Sequence, residues 1–122
     1  MLYSIGYQKL QAGFELAAVL TEHGIDNLLD VRSRPYGRKH EFNKKNLEAM
    51  LSLAGIAYFW CGKTLGGFSQ ISESAIAGLA KWQADKTACL MCMEADPDRC
   101  HRKYDIAKRL SAYGVTVNHI KS

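Results

Sequence analysis

The sequence predicts an α/β fold: a single three-layer α/β/α domain on a mostly parallel sheet of about five strands. Three observations carry that expectation. Helical patterns and short apolar stretches alternate along the 122 residues. Three of the helical patterns stop at a glycine and run into an apolar or β-branched stretch, at His23-Gly24-Ile25, Ala54-Gly55-Ile56 and Tyr113-Gly114-Val115; glycine there reads as the left-handed residue that ends a helix. Two stretches, Leu28-Leu29-Asp30-Val31 and Cys89-Leu90-Met91-Cys92, are nearly continuous apolar runs, as expected of strands covered on both faces.

The elements then follow in order. A strand over Leu2–Ile5 leads to a helix near Leu10–Glu22, and a strand over Asn27–Val31 to a helix over Lys44–Leu53. In that helix Leu47, Met50, Leu51 and Ala54 fall at the i, i+3, i+4, i+7 spacing of one buried face. A strand over Ile56–Trp60, a helix over Glu73–Ala84, a strand over Thr87–Met93, a helix over Arg99–Ala112 and a strand over Val115–Ile120 complete the chain. Asn43, Ser72 and Asp98 are the expected N-caps of the second, third and fourth helices. The architecture is of the Rossmann-like or flavodoxin-like type, with residues 1–122 as one domain and an expected strand order of 3-2-1-4-5.

Composition bounds the function. With 48% hydrophobic and 23% charged residues and two prolines, the chain is globular and not disordered. No apolar run approaches the ~18 residues of a membrane span. Met1–Gly6 lacks a basic segment leading into a long apolar one, so a soluble, cytoplasmic protein without membrane association is expected. In such a compartment the four cysteines form no disulfide framework.

The net charge of +4 is unevenly placed. Arg32, Arg34, Arg38, Lys39, Lys44 and Lys45 face one acid, Glu41, so residues 32 to 45 carry +5 and the rest of the chain −1. A local basic patch points to an anionic partner, a small molecule or nucleic acid.

The chemistry-bearing residues follow the strands, where open parallel sheets bind ligands. Arg32, Ser33 and Arg34 leave the second strand, and two guanidiniums one residue apart can clamp a phosphate or carboxylate. The structural alternative is an arginine paired with Asp30 or Glu94. Tyr36 is placed to stack on a base or to pack. Glu94 ends the fourth strand as an acid or base, or as an orienting group. Cys100-His101-Arg102 opens the last helix. A thiol there has a lowered pKa, His101 is a candidate general base, and Arg102 can hold an anion with the first-turn N–H groups. The competing reading puts Cys100 against the sheet.

Sharper motifs are excluded. Cys92 and Arg99 are separated by six residues where a cysteine-phosphatase loop has five, and the intervening loop is acidic. Cys89 and Cys92 have metal-site spacing, but on a strand they point to opposite faces, so no metal site is expected. The glycines form no nucleotide fingerprint, and no cofactor is named by the residues.

Five separated motifs carry a resemblance: Ser4-Ile5-Gly6-Tyr7, Asp30-Val31-Arg32-Ser33-Arg34-Pro35-Tyr36, Phe42-Asn43-Lys44, Leu65-Gly66-Gly67, and Cys92-Met93-Glu94 with Cys100-His101-Arg102. Together they resemble the bacterial and archaeal family called domain of unknown function 488. The resemblance implies a compact α/β cytoplasmic protein and carries no established activity. Its characteristic positions match Arg32, Ser33, Arg34, Glu94, Cys100, His101 and Arg102. Asp-Val-Arg after a strand is also locally similar to rhodanese-like domains, with Cys92 as the nearest counterpart of their catalytic thiol.

The leading expectation is an anion-binding enzyme acting on a nucleotide or nucleic-acid component. In it Arg32, Ser33, Arg34, Tyr36 and Arg102 bind, and Glu94, Cys100 and His101 form the catalytic set. Two alternatives are a non-enzymatic nucleic-acid-binding module using residues 32 to 45, and a rhodanese-like thiol or sulfur-transfer protein using Cys100 or Cys92.

Overall fold

The computed structural model describes residues 1–67 and 70–121, apart from the side chains of Asp98, His101, Arg102 and Lys103. Five strands form one all-parallel sheet: β1 (Leu2–Gly6), β2 (Asn27–Asp30), β3 (Ala57–Trp60), β4 (Ala88–Cys92) and β5 (Val117–His119). The helices are α1 (Gly13–Glu22), α2 (Lys44–Leu53), a single turn α3 (Gly62–Leu65), α4 (Glu73–Gln83) and α5 (His101–Ser111). The fold class is the expected one. The sequence pattern assigns no element to residues 62–65, where the structure forms the four-residue turn α3.

The strand order is β3-β2-β4-β1-β5, which corrects the expected 3-2-1-4-5. β4 takes the centre because its five residues, Ala88–Cys92, are all apolar and all buried. β1 carries Ser4, whose Oγ hydrogen-bonds His119 Nδ1 on β5. One row crosses the whole sheet in register: Phe59, Leu29, Leu90, Ser4 and His119.

Two apolar cores lie on the two faces. On one, Leu16 and Leu20 of α1 and Leu47 and Leu51 of α2 cover Ile5, Leu28, Cys89 and Met91. On the other, Leu65, Ile76, Leu79, Ile106 and Leu110 cover Leu2, Leu29, Leu90 and Cys92. Cys89 and Cys92 therefore sit in different cores, as strand alternation requires.

Helix ends follow the glycine signals. Gly24, Gly55 and Gly114 all have φ near +70°, at 69°, 76° and 74°. The residue after each returns its N–H to the last helical turn: Ile25 to Leu20 O, Ile56 to Leu51 O and Val115 to Leu110 O. Ser72 caps α4 by accepting from the Ala75 N–H at 3.1 Å. Two expected caps differ. Cys100, not Asp98, is the N-cap of α5, because Pro97–Arg99 form a separate 3-10 turn. Asn43 stands at the N-cap of α2, but its Oδ1 accepts from the Gly37 N–H at 2.7 Å instead. The first N–H of α1 is met from a distance, by Glu41 Oε1 at 2.9 Å, which sets a negative charge at the helix's positive end.

The connections fix where a ligand can enter. Loops after β1 and β2 lead to helices on one face; loops after β3 and β4 lead to helices on the other. The carboxyl end of β4 lies between β1 and β2. The chain leaves β4 toward one face while those leaving its neighbours β1 and β2 go to the other, and that divergence opens a crevice at the sheet edge.

Candidate functional site

A crevice of about 500 Å³ opens at this edge, walled by Tyr7 and Gln8 after β1, by residues from Arg32 to Lys39 after β2, and by Met93 after β4. Its described lining carries Arg32, Arg34, Arg38 and Lys39 and no carboxylate. The four cations do different work.

Arg32 is a buried wall of the crevice. Its Nε donates to Asp30 Oδ1 at 2.8 Å and its Nη2 to Asp30 Oδ2 at 2.7 Å. Nη2 also donates to Phe42 O at 2.7 Å, and Nη1 to Tyr7 Oη at 3.2 Å. Four of the five guanidinium N–H groups are thus committed within the protein. Burial alone pulls the Arg32 pKa down; the hydrogen bonds and charge of Asp30, then Tyr7, reverse this and hold it above its ordinary value. Asp30 is fully buried and also accepts from the Arg32 N–H at 3.1 Å and from Tyr58 Oη at 2.5 Å. Burial, reinforced by Asp30, pushes the Tyr58 phenol well above its usual range. Tyr7 stacks on the buried Phe42 with ring centroids 4.5 Å apart, and Arg32 Cζ lies 5.2 Å from the Tyr7 centroid. Tyr7 and Arg32, which form the crevice floor, are therefore held from behind by the buried Phe42 and Asp30.

Lys39 ties the long loop after β2 to the loop after β1. Its ammonium donates to Gln8 O at 2.5 Å and Leu10 O at 2.7 Å. Lys44, farther along, places its ammonium 5.5 Å from the Trp60 ring centroid. Arg34 and Arg38 are exposed on the crevice wall, and Tyr36 stands beside them 69% exposed.

Glycines bring the neighbouring loops close. A Cβ on Gly6 would fall 1.7 Å from Glu94 O, so the end of β1 lies directly against the loop after β4. A Cβ on Gly66 would fall 2.3 Å from Ser33 Oγ and 2.2 Å from Gly62 O. Trp60 Nε1 donates to Arg32 O at 2.8 Å. The Leu65-Gly66-Gly67 motif thus supports the Arg32-Ser33-Arg34 segment from behind.

Of the expected site residues, Arg32, Ser33, Arg34 and Tyr36 come together in this crevice. Arg32 does so with two of its guanidinium donors turned to Asp30 and two more to Phe42 O and Tyr7 Oη, which answers the alternative posed by the sequence. Glu94 is half-buried on the loop next to Met93, outside the crevice lining. Cys100 is not brought to the crevice. It is 2% exposed in the second apolar core, beside residues such as Ile106 and Leu110, because its position at the start of α5 points it at the sheet. The side chains of His101 and Arg102 lie outside the described residues. Sequence reasoning missed Gln8, Met93 and the wall position of Arg38. Met93 directly follows β4 and Gln8 comes two residues after β1; that position just past a strand end is the signal that could have found them. The Cys61 thiol is pushed up to about 11 by burial and then by Asp30's charge. Among the described residues no three His, Cys, Asp or Glu side chains gather as a metal site, and no helix is long and apolar enough to cross a membrane.

Fold and crevice together define an α/β protein with a basic cleft at the carboxyl edge of a parallel sheet. The family model described as Domain of unknown function DUF488 matches residues 14–76, just over half of the chain, and the chain belongs to that family. The matched segment spans Arg32 to Tyr36 and Leu65-Gly66-Gly67; the residues of β1 and of the loop after β4 lie outside it. No curated protein and no solved structure matches the chain.

Proposed function

We propose that the protein binds a phosphate-bearing ligand, a nucleotide or nucleic-acid component, in the crevice after β2. The observation that supports this reading is the described lining itself: four cations, no carboxylate among the described residues, and an exposed tyrosine on the same wall. Arg34 and Arg38 supply the charge-assisted donors. Tyr36 offers an aromatic face for a base, and stacking of that kind is worth about 1–3 kcal/mol. Ser33 adds a hydroxyl. Arg32, its charge met by Asp30, keeps the floor rigid, so that little ordering is needed on binding.

The assignments within the 32–45 segment favour a small ligand over a long nucleic-acid surface. Arg32 is paired with Asp30, Lys39 holds two carbonyls and Lys44 lies over Trp60. That leaves fewer cations to track a backbone, and non-specific nucleic-acid affinity scales with their number. For chemistry on the ligand, we assign proton transfer to Glu94, on the loop that also supplies Met93, and to His101 at the start of α5. Arg102 is assigned to the ligand's charge.

Titration calorimetry with inorganic phosphate, ribose 5-phosphate and adenosine 5′-monophosphate tests the reading. The nucleotide is expected to bind tightest, with Tyr36→Ala reducing its affinity to that of ribose 5-phosphate. Equal affinity for all three in the native protein removes the stacking role, and no binding of any removes the reading. Phosphate or base release from the bound nucleotide, lost in Glu94→Gln while binding persists, tests the catalytic assignment.

A further inference from the structure

The carboxyl edge holds a second crevice of about 490 Å³, which shares one wall, Gln8, with the first. It draws Lys9 from the loop after β1, Arg99 from the turn before α5 and Lys121 from beyond β5. Its one described carboxylate, Asp96, lies 3.9 Å from Arg99 Nε and offsets that charge. Lys9 and Lys121 remain, both exposed and each from a different connection.

The partition between the crevices is fixed. The Gln8 N–H donates to Met93 O at 2.9 Å, its Oε1 accepts from the Ala95 N–H at 3.3 Å, and its carbonyl accepts from Lys39. Two basic crevices therefore stand side by side on one sheet edge and share the uncharged, solvent-exposed Gln8 as a wall.

We propose that Lys9 and Lys121 form a second phosphate subsite, so that the ligand carries two phosphates with a nucleoside between them, as in a 5′-phosphorylated dinucleotide. This rests on the reading of the first crevice as a nucleotide site and names the length of its ligand. The first phosphate and its base occupy the crevice of Arg34, Arg38 and Tyr36. The chain then passes over Gln8, and the second phosphate meets the two lysines. A single crevice rewards added charge wherever it sits. Two separated crevices reward charge only at the right spacing, because the second contact becomes intramolecular.

The test is calorimetry on the full chain with adenosine 5′-monophosphate, adenosine 5′-diphosphate and the 5′-phosphorylated dinucleotide of adenosine. The native protein is expected to bind the dinucleotide at least tenfold more tightly than the monophosphate, with a smaller gain for the diphosphate. The Lys9→Glu, Lys121→Glu double variant, checked for an unchanged thermal midpoint, is expected to lose the dinucleotide's gain and keep its affinity for the monophosphate. A dinucleotide no tighter than the monophosphate, a diphosphate that gains as much, or a gain that survives the double variant overturns the second subsite and leaves the first reading standing. If neither nucleotide binds, both fail.

Discussion

Arg32 and Asp30, two residues apart at the end of β2, form a two-pronged ion pair at 2.8 and 2.7 Å with both side chains removed from water. The pair faces inward, so the arginine of the Asp-Val-Arg motif builds the site more than it offers itself to a ligand. The same carboxylate accepts from Tyr58, and the same guanidinium holds Phe42 O and Tyr7. One buried charge pair thereby joins β2, β3, the loop after β1 and the segment before α2.

Breaking that pair is expected to be costly. Asp30→Ala leaves a buried guanidinium without its counter-charge, a loss of about 3–5 kcal/mol in unfolding free energy. Adding Arg32→Met to Asp30→Ala is expected to recover part of it, since no buried charge is then left unpaired. Urea denaturation of the native, single and double variants measures both. A single variant as stable as the native protein would refute the structural role.

Glycine substitutions separate close approach from open space. Gly66→Ala places a methyl 2.2 Å from Gly62 O and 2.3 Å from Ser33 Oγ, and a loss of about 1–3 kcal/mol is expected from overpacking. Gly78, inside α4, has nothing within 4 Å of an added Cβ. There alanine is expected to stabilise by about 0.5–1 kcal/mol through helix propensity. Thermal melts of the two variants should therefore move in opposite directions.

Much of this was readable from the residues, and what was not has physical causes. The three glycine stops located helix ends because a positive φ is a local demand. The alternation of apolar runs gave the parallel sheet. The strand order was not readable, because whether β1 or β4 occupies the centre depends on pairings between segments some 85 residues apart. The clustering of Arg32, Ser33, Arg34 and Tyr36 is contiguous in sequence and so was visible. That Arg32 turns to Asp30, that Lys39 reaches Gln8 and Leu10, and that Cys100 faces the sheet depend on side-chain direction, which spacing alone does not decide.

The thiols are expected to be slow. Cys89, Cys92 and Cys100 are buried, and Cys61 is pushed up to about 11. At pH 7.5 all four should react with an aromatic disulfide reagent only on unfolding, at rates that rise with urea. Rapid labelling of one native thiol would revive sulfur-transfer chemistry, which requires an accessible thiolate.

Alkaline stability has a defined sign. Cys61 and Tyr58 hold their protons more tightly folded than unfolded. The folded state then binds more protons, so stability falls as pH rises. For Cys61 that contribution is complete below its ordinary value of 9.0 and is lost between there and about 11. Denaturation midpoints at pH 8, 9.5 and 11 should decline less steeply in a Cys61→Ala, Tyr58→Phe variant than in the native protein. Equal slopes would show that neither group titrates differently on folding.

The proposed phosphate binding in the crevice depends on Arg34 and Arg38. Its most direct test is the affinity of adenosine 5′-monophosphate for the native protein, for Arg34→Ala and for Arg38→Ala, by calorimetry at moderate salt. Each variant is expected to weaken binding about tenfold, corresponding to about 1.4 kcal/mol for one charge-assisted contact, with the thermal midpoint unchanged. Binding that is undiminished in both variants, or absent in the native protein, would contradict it.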